Sequence, residues 1–204
     1  MHRLLMLAAL ILLVTSLAGC AQVQPQAATL QPPQVALDHV EVQAYFATPW
    51  ANWPGPPPTP TAPAPGPVSV PIVLAFIWNI TNPNPAPVTL ERLQFTAAFE
   101  GPPGQYFDLN TPLTTDRQSI PANTTNQIRS IAIIDSATVA GNLAVTSGSR
   151  LKELNLTGTA LIQKWWTEIG DFKFGIRARQ GTAEFRDAQG KTTVVQFEDT
   201  FPKK

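Results

Sequence analysis

From Val68 to Ile80 every even position is apolar: Val68, Val70, Ile72, Leu74, Phe76, Trp78 and Ile80. A strand turns successive side chains to opposite faces, so this run lays one continuous greasy face that has to be hidden from water. The odd positions Val73, Ala75 and Ile77 are apolar too, which reads as a central strand with a neighbour on each side. The run stops at Asn82-Pro83-Asn84-Pro85-Ala86-Pro87. The three prolines have no ladder donors and push their predecessors out of the α region, while Asn82 and Asn84 can bond their own backbone as Asx turns. A second strand follows at Leu93, Phe95, Ala97 and Phe99, with Arg92, Gln94, Thr96 and Glu100 on its wet side, and closes at Gly101-Pro102-Pro103-Gly104.

Further alternating runs extend the same design. Val40, Val42, Ala44 and Phe46 form one face of an earlier strand. Ile128, Ile131, Ile133 and Ile134 change parity near Ser130, which suggests a β-bulge. Asp135 is placed to cap a short helix carrying Val139, Ala140, Leu143 and Ala144, with Gly148 beyond its end. Leu154, Leu156, Gly158, Ala160 and Ile162 read as another strand, as do Phe172, Phe174, Ile176 and Ala178. Asp187-Ala188-Gln189-Gly190 makes a hairpin between Thr182–Arg186 and Lys191–Phe197. The expected fold is all-β: an antiparallel β-sandwich of about seven strands with one short helix.

The N-terminus carries a different message. His2 and Arg3 precede an apolar run from Leu4 to Val14, then Leu17-Ala18-Gly19-Cys20, the layout of a secretory signal ending in a bacterial lipobox. Residues 1–19 are expected to be removed and Cys20 lipidated, so that buried acyl chains, at about 0.8 kcal/mol per CH₂, hold the protein on a membrane. The expected location is the cell envelope, facing the periplasm or the cell exterior. Residues 20–33, rich in Gln, Ala and Pro, read as a flexible tether, and 34–204 as the folded domain. Cys20 is the one cysteine, so no intrachain disulfide or thiolate metal cluster can form. Without Arg3 the mature chain has 13 basic and 14 acidic residues, hence 13 − 14 = −1, with both signs scattered; this argues against nucleic acid as a partner.

Between Pro49 and Pro67 the composition shifts to proline, an insertion that forces an extended path. Trp50 and Trp53 at its entrance are candidates for docking an envelope protein or glycan, or else they cap the core. In Trp165-Trp166, strand geometry would bury one ring and expose the other, making Trp166 a further contact candidate. Catalytic parts are scarce. His39 is the one histidine left after processing, so Ser-His-Asp, Cys-His and multi-histidine sites lack components, and Glu198 and Asp199 point to opposite faces of a strand. The expectation is a non-enzymatic monomer with no cofactor and no metal.

From about Gln34 to Thr200 the chain resembles the WHy-type domain of the late-embryogenesis-abundant group 2 proteins. The residues that carry the resemblance are Asn82-Pro83-Asn84, Val88-Thr89-Leu90, Leu93-Gln94-Phe95 and Gly101, then Ile120-Pro121-Ala122-Asn123 before the Ile128 strand, then Leu156-Thr157-Gly158-Thr159-Ala160. It implies an immunoglobulin- or fibronectin-III-like sandwich with one helix, a role in desiccation or other stress, and no catalytic residues to carry over. The Pro49–Pro67 stretch departs from the family's pattern by lengthening the first inter-strand loop.

Overall fold

The computed structural model describes residues 31–45 and 69–203. They form two antiparallel sheets packed face to face, as expected of a β-sandwich. The first sheet holds β1 (Gln34–Tyr45), β2 (Pro71–Asn82) and β7 (Thr124–Asp135) in the order β1-β2-β7. The second is built on β3 (Val88–Glu100), flanked on one side by β8 (Ile176–Asp187) and β9 (Thr192–Phe201). On the other side β3 pairs in turn with three short strands, β4 (Tyr106–Asn110), β5 (Leu113–Thr114) and β6 (Gln118–Ile120).

The alternating pattern of β2 is the seed of the core. Leu74, Phe76, Trp78 and Ile80 are wholly buried, and Phe95 and Phe99 of β3, Phe185 of β8 and Phe174 are buried with them. Phe76 and Phe95 approach edge-on at 4.7 Å, and Trp78 meets Phe95 at 5.0 Å and Phe197 at 4.7 Å. Each such ring withdraws roughly 150–250 Å² from water. At about 25 cal/mol per Å² that is roughly 4–6 kcal/mol of gross stabilisation per ring, before chain entropy is subtracted. The central position expected for β2 is met, with β1 and β7 on its two sides.

Three helices follow β7 and close one end of the sandwich: α1 (Ser136–Thr146), α2 (Gly148–Glu153) and α3 (Gly158–Glu168), with a 3-10 turn at Ile169–Asp171. Helix α1 is the one expected. The Asp135 carboxylate accepts from the N–H groups of Ala137 at 2.9 Å and Thr138 at 3.2 Å, and Val139 and Leu143 face inward. The turn after α2 and the first residues of α3 correct the reading of Leu154–Ile162 as a strand, and α2 and α3 are helices beyond the one expected. Leu161, Ile162, Trp165, Trp166 and Ile169 are the buried residues there, spaced i, i+1, i+4, i+5 and i+8, and Thr157 Oγ1 accepts from Ala160 N–H as an N-cap. The even-numbered alternation had masked a helical period.

Two further corrections concern register. The β2–β7 pairing runs without a break from Pro71 opposite Asp135 to Asn82 opposite Thr124, so no bulge lies at Ser130. Ile128, Ser130, Ala132 and Ile134 face the interior, whereas Ile131 and Ile133 stand on the outer face, 45% and 60% exposed. Ser130 is tolerated inside because its hydroxyl pairs with Thr114 Oγ1 at 2.7 Å. The strand expected to start at Phe172 starts only at Ile176, Phe172 lying in a left-handed turn at φ 49°, and it runs on through Thr182–Arg186 as one strand, interrupted by a bulge where Gln180 adopts φ 52° and Gly181 lies under the Phe197 ring. The Asp187–Gly190 hairpin is as expected, with Gly190 at φ 83° and Asp187 Oδ1 accepting from the N–H groups of Gln189 and Lys191.

Candidate functional site

The Asn82-Pro83-Asn84 block sits at the end of the sandwich where the chain enters it, and both of its side-chain amides are buried. Asn82 Nδ2 donates to three main-chain carbonyls, those of Ala86 at 2.9 Å, Ile120 at 3.2 Å and Pro121 at 3.0 Å. Its Oδ1 accepts from the N–H of Asn84 and from Asn84 Nδ2. Asn84 in turn grips Gln31 with both ends of its amide: Oδ1 accepts from Gln31 N–H at 2.8 Å and Nδ2 donates to Gln31 carbonyl at 2.9 Å. The Asn84 carbonyl accepts from Asn123 N–H, whose residue turns the chain at φ 54°. The sharp corner therefore joins the β2–β3 turn, the β6–β7 turn and the incoming chain, and it is a structural knot with its polar atoms satisfied.

At the opposite end, α3 serves as a bolt between the sheets. Trp165 Nε1 donates to the Glu100 carbonyl of β3 at 2.8 Å, and Trp166 Nε1 to the Val70 carbonyl just before β2 at 2.9 Å. Both rings are fully buried, so Trp166 is a core residue and not an exposed contact. Consecutive residues on a helix lie 100° apart, and here both face the two-sheet interior. Cys20, Trp50 and Trp53 lie outside the described residues, as do the signal, most of the tether and the Pro49–Pro67 insertion.

The charged network with the clearest perturbation runs along β1. His39 bridges Asp38, Nδ1 to Oδ2 at 2.7 Å, and Glu41, Nε2 to Oε1 at 3.2 Å, while Arg129 reaches Glu41 at 2.6 Å. The Asp38 carboxylate raises the pKa of His39, and hydrogen bonding to His39 lowers those of Asp38 and Glu41. This cluster is exposed and lies on an edge strand, where charge hinders pairing with another sheet. Glu198 and Asp199 diverge as expected: Glu198 meets Arg177 outside at 2.9 Å, while Asp199 Oδ2 accepts from Leu37 N–H and stitches β9 to β1.

A cleft of about 600 Å³ opens between edge strand β4 and helix α1. Its charged lining consists of Asp108, Asp135, Arg150 and Arg179, each already engaged. Arg179 holds Asp108 at 2.9 Å; Arg150 donates to the Tyr106 carbonyl at 2.8 Å and to Gln105, and lies over the Phe107 ring. Asp135 caps α1 and accepts from the Ser69 hydroxyl, which with the capping N–H groups lowers its pKa. Asn110 spans the floor, donating to the Ile133 carbonyl. Sequence reasoning did not find this cleft, because its residues come from β3, β4, β7, α1, α2 and β8 and share no local motif. Among the described residues no group of three or more His, Cys, Asp or Glu side chains is placed to hold a metal, and no helix is long and apolar enough to cross a membrane.

No protein-family model and no curated protein matches the chain. Among solved structures, a Northeast Structural Genomics Consortium target aligns over 84% of this chain and 86% of its own at 10% identity and a TM-score of 0.40. A protein from Archaeoglobus fulgidus aligns over 86% and 98% at 10% identity and 0.34. The putative ApaA protein from Bordetella pertussis aligns over 86% and 100% at 11% identity and 0.36. Likeness at these scores carries no argument about function.

Proposed function

We propose that this chain is a lipid-anchored, non-enzymatic envelope protein of the WHy type, tethered through Cys20 and protective in desiccation or other stress. The observation that supports this reading is the use made of its most distinctive motif. The side chains of Asn82 and Asn84 are spent on backbone partners and on Gln31, which makes the motif architecture and leaves chemistry to no part of it. Rigid seating of Gln31 is what a domain hung from an N-terminal tether requires, since the linker then begins at a fixed point.

Drying a labile enzyme with the purified protein tests the protective role. The protein is expected to preserve more activity than an equal mass of serum albumin, and equal protection would remove the reading. Metabolic labelling with palmitate tests the anchor independently: label is expected on the parent chain and absent from Cys20→Ala.

A further inference from the structure

We propose that the cleft between β4 and α1 is a binding site for a neutral saccharide. Its volume, about 600 Å³, falls in the range of small-ligand sites. Two carboxylates and two guanidinium groups line it, so the net charge is zero, and each is held by a partner within the fold. An ionic ligand would gain no net field there and would have to displace the Asp108–Arg179 ion pair or the neutral partners that hold Arg150 and Asp135. What remains available for bonding is uncharged. The side chains of Thr96, Thr111, Thr138 and Asn142 line the cleft and make no hydrogen bond in the described structure.

Hydroxyls and a carboxamide, offering both donors and acceptors, match the vicinal hydroxyls of a sugar. Apolar surface for a ring's C–H face comes from Tyr106, half-buried, and from the exposed Ile133. An extended peptide is disfavoured because the open edge of β4 is already occupied: Arg150 takes the Tyr106 carbonyl, and Asn110 crosses to β7. This inference does not rest on the protective role or on lipidation.

The test uses the full chain in a sugar-free zwitterionic detergent, titrated with maltotriose and with triacetylchitotriose and followed by amide chemical shifts. Saturable shifts confined to β4, α1 and Arg179 are expected, with half-saturation at roughly 1–10 mM or tighter. Thr138→Val with Asn142→Ala, both on the exposed face of α1, is expected to weaken binding about fivefold per hydrogen bond lost while circular dichroism stays unchanged. Val194→Lys, on β9, serves as the control that leaves binding intact. Co-sedimentation with purified cell-wall glycan distinguishes the source: sedimentation assigns the site to an envelope polysaccharide, and its absence with soluble binding assigns a free oligosaccharide. The proposal is overturned if neither sugar gives saturable shifts, if the double variant binds like the parent, or if a sulfated trisaccharide binds more tightly than the neutral ones.

Discussion

Replacing Asn82 with alanine would remove the centre of the knot at the entry end. In the native fold one amide satisfies three carbonyls and two donors of Asn84. Ala86 and Pro121 are exposed residues, so water can take over their carbonyls. The Ile120 carbonyl and the two Asn84 donors stay in a buried setting, Asn84 being 3% exposed and Ile120 wholly buried. At roughly 1 kcal/mol for each stranded group, the low end of the range, Asn82→Ala costs about 3 kcal/mol. That is a large part of a typical stability of 5–15 kcal/mol, and it lowers Tm by about 6–12 °C for a domain of this size. Urea unfolding followed by tryptophan fluorescence measures it as a fall in the midpoint at constant slope. A loss below about 1 kcal/mol would show that the amide's bonds are replaced by solvent and that the motif does not hold the corner.

Three other outcomes are expected. Gly181→Ala would put a Cβ 2.3 Å from the Phe197 ring, which is itself braced on Trp78, so the ring must move and stability falls by about 1–3 kcal/mol by overpacking; an unchanged urea midpoint would count against this packing. His39 should titrate above its ordinary 6.5, read by NMR on its ring protons, and Asp38→Asn should bring the midpoint down; since the folded pKa is the higher one, its contribution is present below about pH 6.5 and is lost as pH rises through the folded value. Asp135→Ala should cost about 1 kcal/mol through loss of the α1 cap, and because the folded pKa is depressed, the difference between parent and variant should shrink as pH falls below about 4; a difference independent of pH would contradict the charge-assisted cap.

Where a run of residues alternates and nothing competes, as in Val70–Ile80, local pattern and final burial agree, and β2 could be read directly. The failures have physical causes. Ile131 and Ile133 are as greasy as Ile134, and counting apolar residues invites a bulge; the straight ladder to β2 and the Ser130–Thr114 hydroxyl pair decide otherwise, at the expense of two exposed isoleucines. In Leu154–Ile162 two periods overlap, and the helical one wins because it carries both tryptophans inward, where their N–H groups find carbonyls on separate sheets. The Asx corner was legible as a corner; that its last amide would seize Gln31, 53 positions away, was not, since such a contact exists only once the sheet has formed. The cleft was illegible for the same reason.

The grip of Asn84 on Gln31 also fixes the point at which the chain joins the sandwich. The strands of the first sheet run for about twelve residues from that corner to the helical cap, roughly 40 Å at about 3.3 Å per residue. Gln31 and the mouth between β4 and α1 therefore lie toward opposite poles of the sandwich, so whatever precedes Gln31 in the chain joins the domain at the end remote from that mouth.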